Sequence, residues 1–185
     1  MLKKVLIAVG VILALFAAAA AMQPAHFRVE RSATIAAPDS VVFALVNDFH
    51  RWKAWSPWAG LDSSMQETYS GASSGVGASY AWAGNSKVGE GSMTILESTP
   101  SSLIRIKLEF LKPIAATNIA EYSFTPGPAG TEVHWIMTGD NNFIGKALGL
   151  VVSMDKMVGG DFEKGLAQIK AVAEAATGPT PPRGE

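Results

Sequence analysis

Residues 154–176, MDKMVGGDFEKGLAQIKAVAEAA, hold the longest amphipathic helical pattern in the polar part of the chain. Val158, Phe162, Leu166, Ile169, Val172 or Ala173, and Ala176 recur at intervals of three and four, which places them on one face of an α-helix. Lys156, Glu163, Lys164, Lys170 and Glu174 fall mostly on the other face. A helix with one apolar stripe needs an apolar surface of matching size. The segments that precede it, from Gln66 to Gly139, read as strands, so the expected partner is a sheet curved around the helix. Gly159-Gly160 interrupts the pattern and has two readings. The pair either breaks the helix, with Asp161 capping a fresh start, or lets the sheet or a ligand approach closely, and ligand access is expected there.

Working outward, Phe27, Val29, Arg31, Ala33 and Ile35 alternate with Arg28, Glu30, Ser32 and Thr34, the pattern of a half-buried strand. Pro38-Asp39 opens a short helix whose buried face is Val42, Leu45, Val46 and Phe49 and which ends near Asn47-Asp48. Trp52-Lys53-Ala54-Trp55-Ser56-Pro57-Trp58 follows, holding three of the chain's five tryptophans. A single helical turn stacks Trp52 on Trp55, and Pro57 ends that turn. These indoles either plug one end of the core or line the mouth of an apolar pocket.

Gln66–Ser70, Ala78–Ala83, Gly89–Glu97, Leu103–Leu111, Asn118–Pro126 and Thr131–Gly139 are further strand candidates, separated by Gly-, Pro-, Asn- and Ser-rich turns. Tyr80 and Trp82 share one face of the second of these. Ser70–Gly77 reads as a hairpin loop, and its Gly75-Val76-Gly77 lacks the third glycine and following helix of a dinucleotide fingerprint. With Phe27–Ile35 the count is about seven strands in an antiparallel meander. Asp140-Asn141 is placed to cap a helical segment from Phe143 to about Val152.

Length suits one domain with a real core. An apolar fraction of 48% and a net charge of −1, without basic clusters beyond Lys3-Lys4, argue against a disordered chain and against nucleic acid as a partner. The absence of cysteine removes disulfides, thiolate metal sites and cysteine nucleophiles. After Lys3-Lys4, Val5 to Met22 carries no polar side chain, the pattern of a signal anchor or signal peptide. The run is longer than the usual cleaved core of about 7–15 residues, which favours an anchor, although Ala19-Ala20-Ala21 suits cleavage. The expected organisation is an anchor or signal over residues 1–23, a domain over 27–176 and a Pro-rich disordered tail over 177–185. The domain is expected on the exported side, periplasmic or extracellular, held to the membrane through Val5 to Met22, or else secreted after cleavage.

Chemistry-bearing patterns are sparse. His26, His50 and His134 are not at metal-ligand spacing, and His134 should point away from the core. No spacing prefers a serine-histidine-acid set, and there is no phosphate loop. Asp48 reads first as a cap and Glu121 as a solvated strand residue, and no carboxylate pair stands out. Neither metal nor cofactor is expected.

The order of elements, strand, two short helices, about six antiparallel strands and a long last helix, resembles the START-like helix-grip domains of the SRPBCC superfamily. Within it the chain resembles the polyketide cyclase/dehydrase and lipid-transport-like family. The resemblance is carried by Glu30-Arg31-Ser32-Ala33-Thr34-Ile35-Ala36-Ala37-Pro38 with Val42-Phe43-Ala44-Leu45-Val46, by Asp48-Phe49 to Trp58, and by Met154-Asp155-Lys156-Met157 to Leu166. It covers about Phe27 to Ala176. It implies an α+β helix-grip fold with a cavity between sheet and last helix, in members that carry apolar molecules or, less often, act as cyclases or hydrolases. A lipocalin-like barrel fits less well, because helices follow the first strand.

On that basis Trp55, Trp58, Tyr80, Trp82, Phe110, Tyr122, Trp135, Met137, Met157 and Phe162 are the expected ligand-binding residues. Each alone reads equally as core, and together they suggest a pocket. The expected function is a membrane-tethered binding module for an apolar small molecule or lipid. The alternatives are an enzyme on an apolar substrate, with Asp48, Tyr80 or Tyr122 as acid or base, and an interaction protein with a closed core. A cavity of roughly 300 Å3 or more separates the first from the last.

Overall fold

The computed structural model describes residues 1–178. In chain order the elements are α1 (Leu2–Ala21), β1 (His26–Ile35), α2 (Asp39–Val46), a 3-10 turn (Phe49–Ala54), β2 (Gln66–Gly71), β3 (Ala78–Ala83), β4 (Glu90–Thr99), β5 (Leu103–Lys112), β6 (Ala116–Gly127), β7 (Gly130–Asp140), α3 (Phe143–Gly149) and α4 (Met154–Thr177). The seven strands form one antiparallel sheet in the order β1-β7-β6-β5-β4-β3-β2. β2 through β7 is a plain meander, and β1 joins its far edge by pairing with β7, Arg31 opposite Trp135. The sheet and α4 make the expected α+β helix-grip arrangement.

α4 lies along β1, with Phe162, Leu166, Ile169 and Ala173 buried and Ser153 capping its first turn by accepting from the Lys156 amide at 3.3 Å. The helix runs through Gly159-Gly160 without a break, and Asp161 starts nothing. Gly159 instead provides close approach: a Cβ there would sit 2.1 Å from Nη2 of Arg31. Arg31 holds the two ends of that turn, donating to Asp155 and Glu163 at 2.7 Å each. At the other end, Lys170 donates to the Thr34 carbonyl at 2.9 Å and the Ala36 amide donates to Glu174 at 2.8 Å. α4 is therefore pinned to β1 along its length.

α2 and the 3-10 turn cover the same concave face of the sheet beside α4. The last carbonyls of a helix have no partner within it. Here the Trp55 indole donates to the Leu45 carbonyl at 3.0 Å and the Trp52 indole to the Val46 carbonyl at 2.9 Å. The two rings lie 4.5 Å apart, as their spacing of three in a 3-10 turn requires. The tryptophan-rich segment is thus a C-terminal cap for α2 as well as a lid.

Several boundaries differ from the sequence reading. β7 continues to Asp140, so Asn142 caps α3, its side chain accepting from the Gly145 amide at 2.8 Å, and α3 stops at Gly149. Ala176 is exposed, because the apolar stripe ends at Ala173. The expected tail overlaps the helix at Thr177, and residues 179–185 lie outside the described residues. α1 is a single apolar helix in which only Ala20 is buried.

Candidate functional site

Strand alternation aims one row of side chains from each of β2 to β7 at the same concave face. Under the first turns of α4 that face stays hollow. Tyr80 and Trp82 of β3, Met93 of β4, Leu108 and Phe110 of β5, Ala120 and Tyr122 of β6, and Trp135 and Met137 of β7 surround a cavity of about 260 Å3. Val158 and Phe162 roof it, and Trp52 and Trp58 close its side. The volume falls just under the roughly 300 Å3 mark, so size alone does not separate a pocket from a closed core. A larger depression of about 580 Å3, between Pro38 and the β6–β7 turn, is wide open and lined by small residues.

The wall is built from stacked rings. Trp135 stacks on Phe162 at 4.1 Å and on Tyr122 at 5.0 Å, and Tyr80 stacks on Trp82 at 5.9 Å. Gly165 makes the first of these possible, since a Cβ there would lie 2.6 Å from the Trp135 ring. Flat, rigid rings meeting at fixed angles leave gaps that branched aliphatic side chains would fill.

Three polar features interrupt this apolar wall. The Tyr122 hydroxyl and the Trp135 indole N–H are sealed from solvent and have no protein partner. Each unmet buried donor costs about 1–3 kcal/mol. Burial pushes the Tyr122 phenol well above its ordinary range, so it remains a protonated donor. Thirdly, the Tyr80 hydroxyl donates to Glu67 at 3.2 Å, and Glu67 is ion-paired with Lys53. Burial first, and the Glu67 charge second, push the Tyr80 phenol upward as well.

Eight of the expected residues meet in this wall: Trp58, Tyr80, Trp82, Phe110, Tyr122, Trp135, Met137 and Phe162. Two do not. Trp55 is fully buried behind the wall, tied to α2 and packed edge-on to Tyr122 and Trp135. Met157 is 52% exposed, since each helical residue turns about 100° and Val158 holds the inward position. Gly159-Gly160 is not an opening, because Arg31 covers Gly159. Asp48 stands outside the wall too. It caps the 3-10 turn by accepting from the His50 amide at 2.9 Å and pairs with His50 and Arg51.

Glu67, with Tyr69, was missed. The signal was present: in a strand Glu67 and Tyr69 share a face, and register sets them opposite Trp82 and Tyr80. His134 points away from the core and meets Glu30 and Glu132, while Glu121 pairs with Arg105 at 3.0 Å. Among the described residues no three His, Asp or Glu side chains gather as a metal would need.

The sequence profile described as polyketide cyclase / dehydrase and lipid transport matches residues 26–174. No curated protein matches the sequence. Solved structures share the fold at low identity. A Staphylococcus aureus protein of unknown function aligns with a TM-score of 0.62 and 12% identity, over 85% of this chain and 98% of that one. A Chromobacterium violaceum protein aligns with a TM-score of 0.56 and 17% identity, over 82% and 99%. The di-domain ARO/CYC protein StfQ of the steffimycin biosynthetic pathway aligns with a TM-score of 0.59 and 12% identity, over 83% of this chain and 52% of that one.

Proposed function

Because the chain belongs to the polyketide cyclase / dehydrase and lipid transport family, we propose that it binds an apolar small molecule or lipid in the cavity beneath α4. The observation that carries this reading is the pair of sealed, unpartnered donors, Tyr122 and Trp135, in the cavity's aromatic wall. A packed core would leave two such groups at a net cost with no return. A ligand that is apolar along its length and carries an acceptor oxygen would give these donors a partner once the rings that seal them part.

We place this module at a membrane. α1 is 20 residues long, about 30 Å as a helix, which equals the hydrocarbon thickness of a bilayer. Its large side chains are exposed on every face, which suits lipid and not water. Lys3 and Lys4 favour a cytoplasmic N-terminus, with the sheet domain on the exported side.

Thermal unfolding of the detergent-solubilised chain across a panel of long-chain fatty acids, aryl ketones and quinones tests the cavity. At 100 times its Kd a ligand stabilises by about 2.7 kcal/mol. The shift should vanish in Ala120→Phe or Leu108→Trp, either of which fills the hollow. A panel that shifts nothing, or shifts the filled variants equally, would remove the proposal.

A second reading, catalysis in the same cavity, is favoured by the Tyr80–Glu67 hydrogen bond, a protonated phenol held by a carboxylate within the wall. It predicts that Glu67→Gln keeps ligand binding and loses conversion of a bound polyketone. Unaltered ligand recovered from the wild type after prolonged incubation would exclude it.

A further inference from the structure

The sheet has two ends, and they differ. At one end lie the start of β1, the end of β7, the β5–β6 and β3–β4 turns and the start of β2. The loop before β2 is tied to this end, since the Asn85 amide donates to Asp62 at 2.7 Å. Most of the large apolar side chains left exposed by the domain gather here, among them Leu61, Ile114, Phe143, Ile144, Leu148 and Val151. Val76 and Leu96 lie toward the opposite end, and Met157 is exposed on α4.

This is also the end from which α1 departs. Only Met22–Ala25 separates α1 from β1, and that link is stapled to the domain. The Asn141 amide donates to the Ala25 carbonyl at 2.8 Å, and its side chain donates to the Pro24 carbonyl at 3.1 Å. α3, which presents Phe143, Ile144 and Leu148, packs against α1. Four residues reach at most about 14 Å fully extended. With α1 spanning a bilayer, the link holds this end within about 14 Å of the hydrocarbon edge, next to a headgroup layer about 5–7 Å deep on each side. The exposed wall residues are Ala59 and Lys87, in loops at the same end, and Lys53 of the 3-10 turn, which pairs with Glu67 near the start of β2, so the cavity mouth faces the same way.

We infer that this end of the sheet rests on the lipid bilayer, with α3 lying in the interface, so that the cavity mouth opens onto the membrane surface. The inference rests on the tethered binding module proposed above. An apolar, short helix beside a spanning helix suits interfacial burial, and a ligand drawn from lipid then never crosses water.

The absence of native cysteine permits a direct test. Nitroxide labels on single substitutions Ile12→Cys, Ile114→Cys, Leu148→Cys, Lys87→Cys and Val76→Cys would be read in nanodiscs of phosphatidylcholine and phosphatidylglycerol, against oxygen and a water-soluble nickel chelate. The expected result is nickel accessibility severalfold lower at Ile114, Leu148 and Lys87 than at Val76, with Ile12 the most protected. Protection at Ile12 with Ile114 and Leu148 as accessible as Val76 would overturn the docking and leave the tether standing. An accessible Lys87 beside protected Ile114 and Leu148 would overturn the placement of the mouth. An accessible Ile12 would overturn the tether and the docking together, while ligand stabilisation in detergent would still judge the cavity.

Discussion

The C-terminal half of α4 buries Leu166, Ile169 and Ala173 in the core, whereas its N-terminal half sets Val158 and Phe162 over a hollow. Both halves pack on the same sheet. The closed half is covered from two sides, by α4 and by α2, whose Val42 and Val46 are fully buried, and its strand residues are mostly branched aliphatics such as Ile35, Ile95, Ile104 and Val133. The open half has rings in place of branched chains and a 3-10 turn and loop in place of a helix. The contrast shows how one amphipathic helix both stabilises the fold and roofs a cavity.

The largest effect separating the halves should be the cost of truncation. Ile169→Ala is expected to lower unfolding stability by about 2–5 kcal/mol, as for other fully buried side chains. Leu108→Ala borders space that already exists and should cost less than half as much in the same urea titration. Equal costs would mean that the two halves are packed alike.

Tyr122→Phe sharpens the comparison from inside the cavity. Removing a sealed, unpartnered hydroxyl should raise the stability of the ligand-free protein by about 1–3 kcal/mol. The same variant should hold ligand more weakly, because an acceptor loses its donor. A loss of ligand-free stability would show that the hydroxyl already has a partner.

The glycine pair gives a smaller contrast. A Cβ at Gly160 meets nothing within 4 Å, so Gly160→Ala should raise stability by up to about 1 kcal/mol through helix propensity alone. Gly159→Ala should show no such gain, since its Cβ displaces Arg31 from Asp155 and Glu163. Thermal unfolding of the two variants decides it.

The smallest effect is electrostatic. Hydrogen bonds from Arg31, and then its charge, hold the Asp155 carboxyl below its ordinary value of 3.8. A depressed carboxylate contributes stability that is fully present above 3.8 and is lost as pH falls through the depressed value. Amide protection in the first turn of α4, taken against the intrinsic exchange rate at each pH, should therefore fall on acidification below 3.8, and that dependence should flatten in Asp155→Asn. Exposure of the pair keeps the change small.

Much of this architecture was legible in residue order. The two-residue alternation of Leu103–Leu111 and the three-and-four spacing of residues 154–176 point to a sheet and its helix, and the Trp52–Trp55 interval already brings those two rings together, although they meet tilted and not stacked. The details that escaped depend on rotations or contacts that a pattern does not encode. Met157 is an exception, because the three-and-four spacing already sets its neighbour Val158 on the inward face with Phe162. Trp55 could serve the cavity or the core, and the unpaired Leu45 carbonyl decides for the core. The glycine pair reads either as a break or as a close approach, and what selects the second is the Arg31 guanidinium against Gly159, a contact far apart in the chain. Glu67 was overlooked because β2 is short and its strand face is defined only by its pairing with β3.

The central claim is that the hollow under the first turns of α4 holds an apolar molecule bearing an acceptor. Mass spectrometry of the organic extract from the full chain, purified from membranes in mild detergent, tests it most directly. The account predicts one chemical class at close to one molecule per chain in the wild type, lost in Ala120→Phe. Wild-type protein that is consistently empty, or that carries the same lipids as the filled variant, would contradict it.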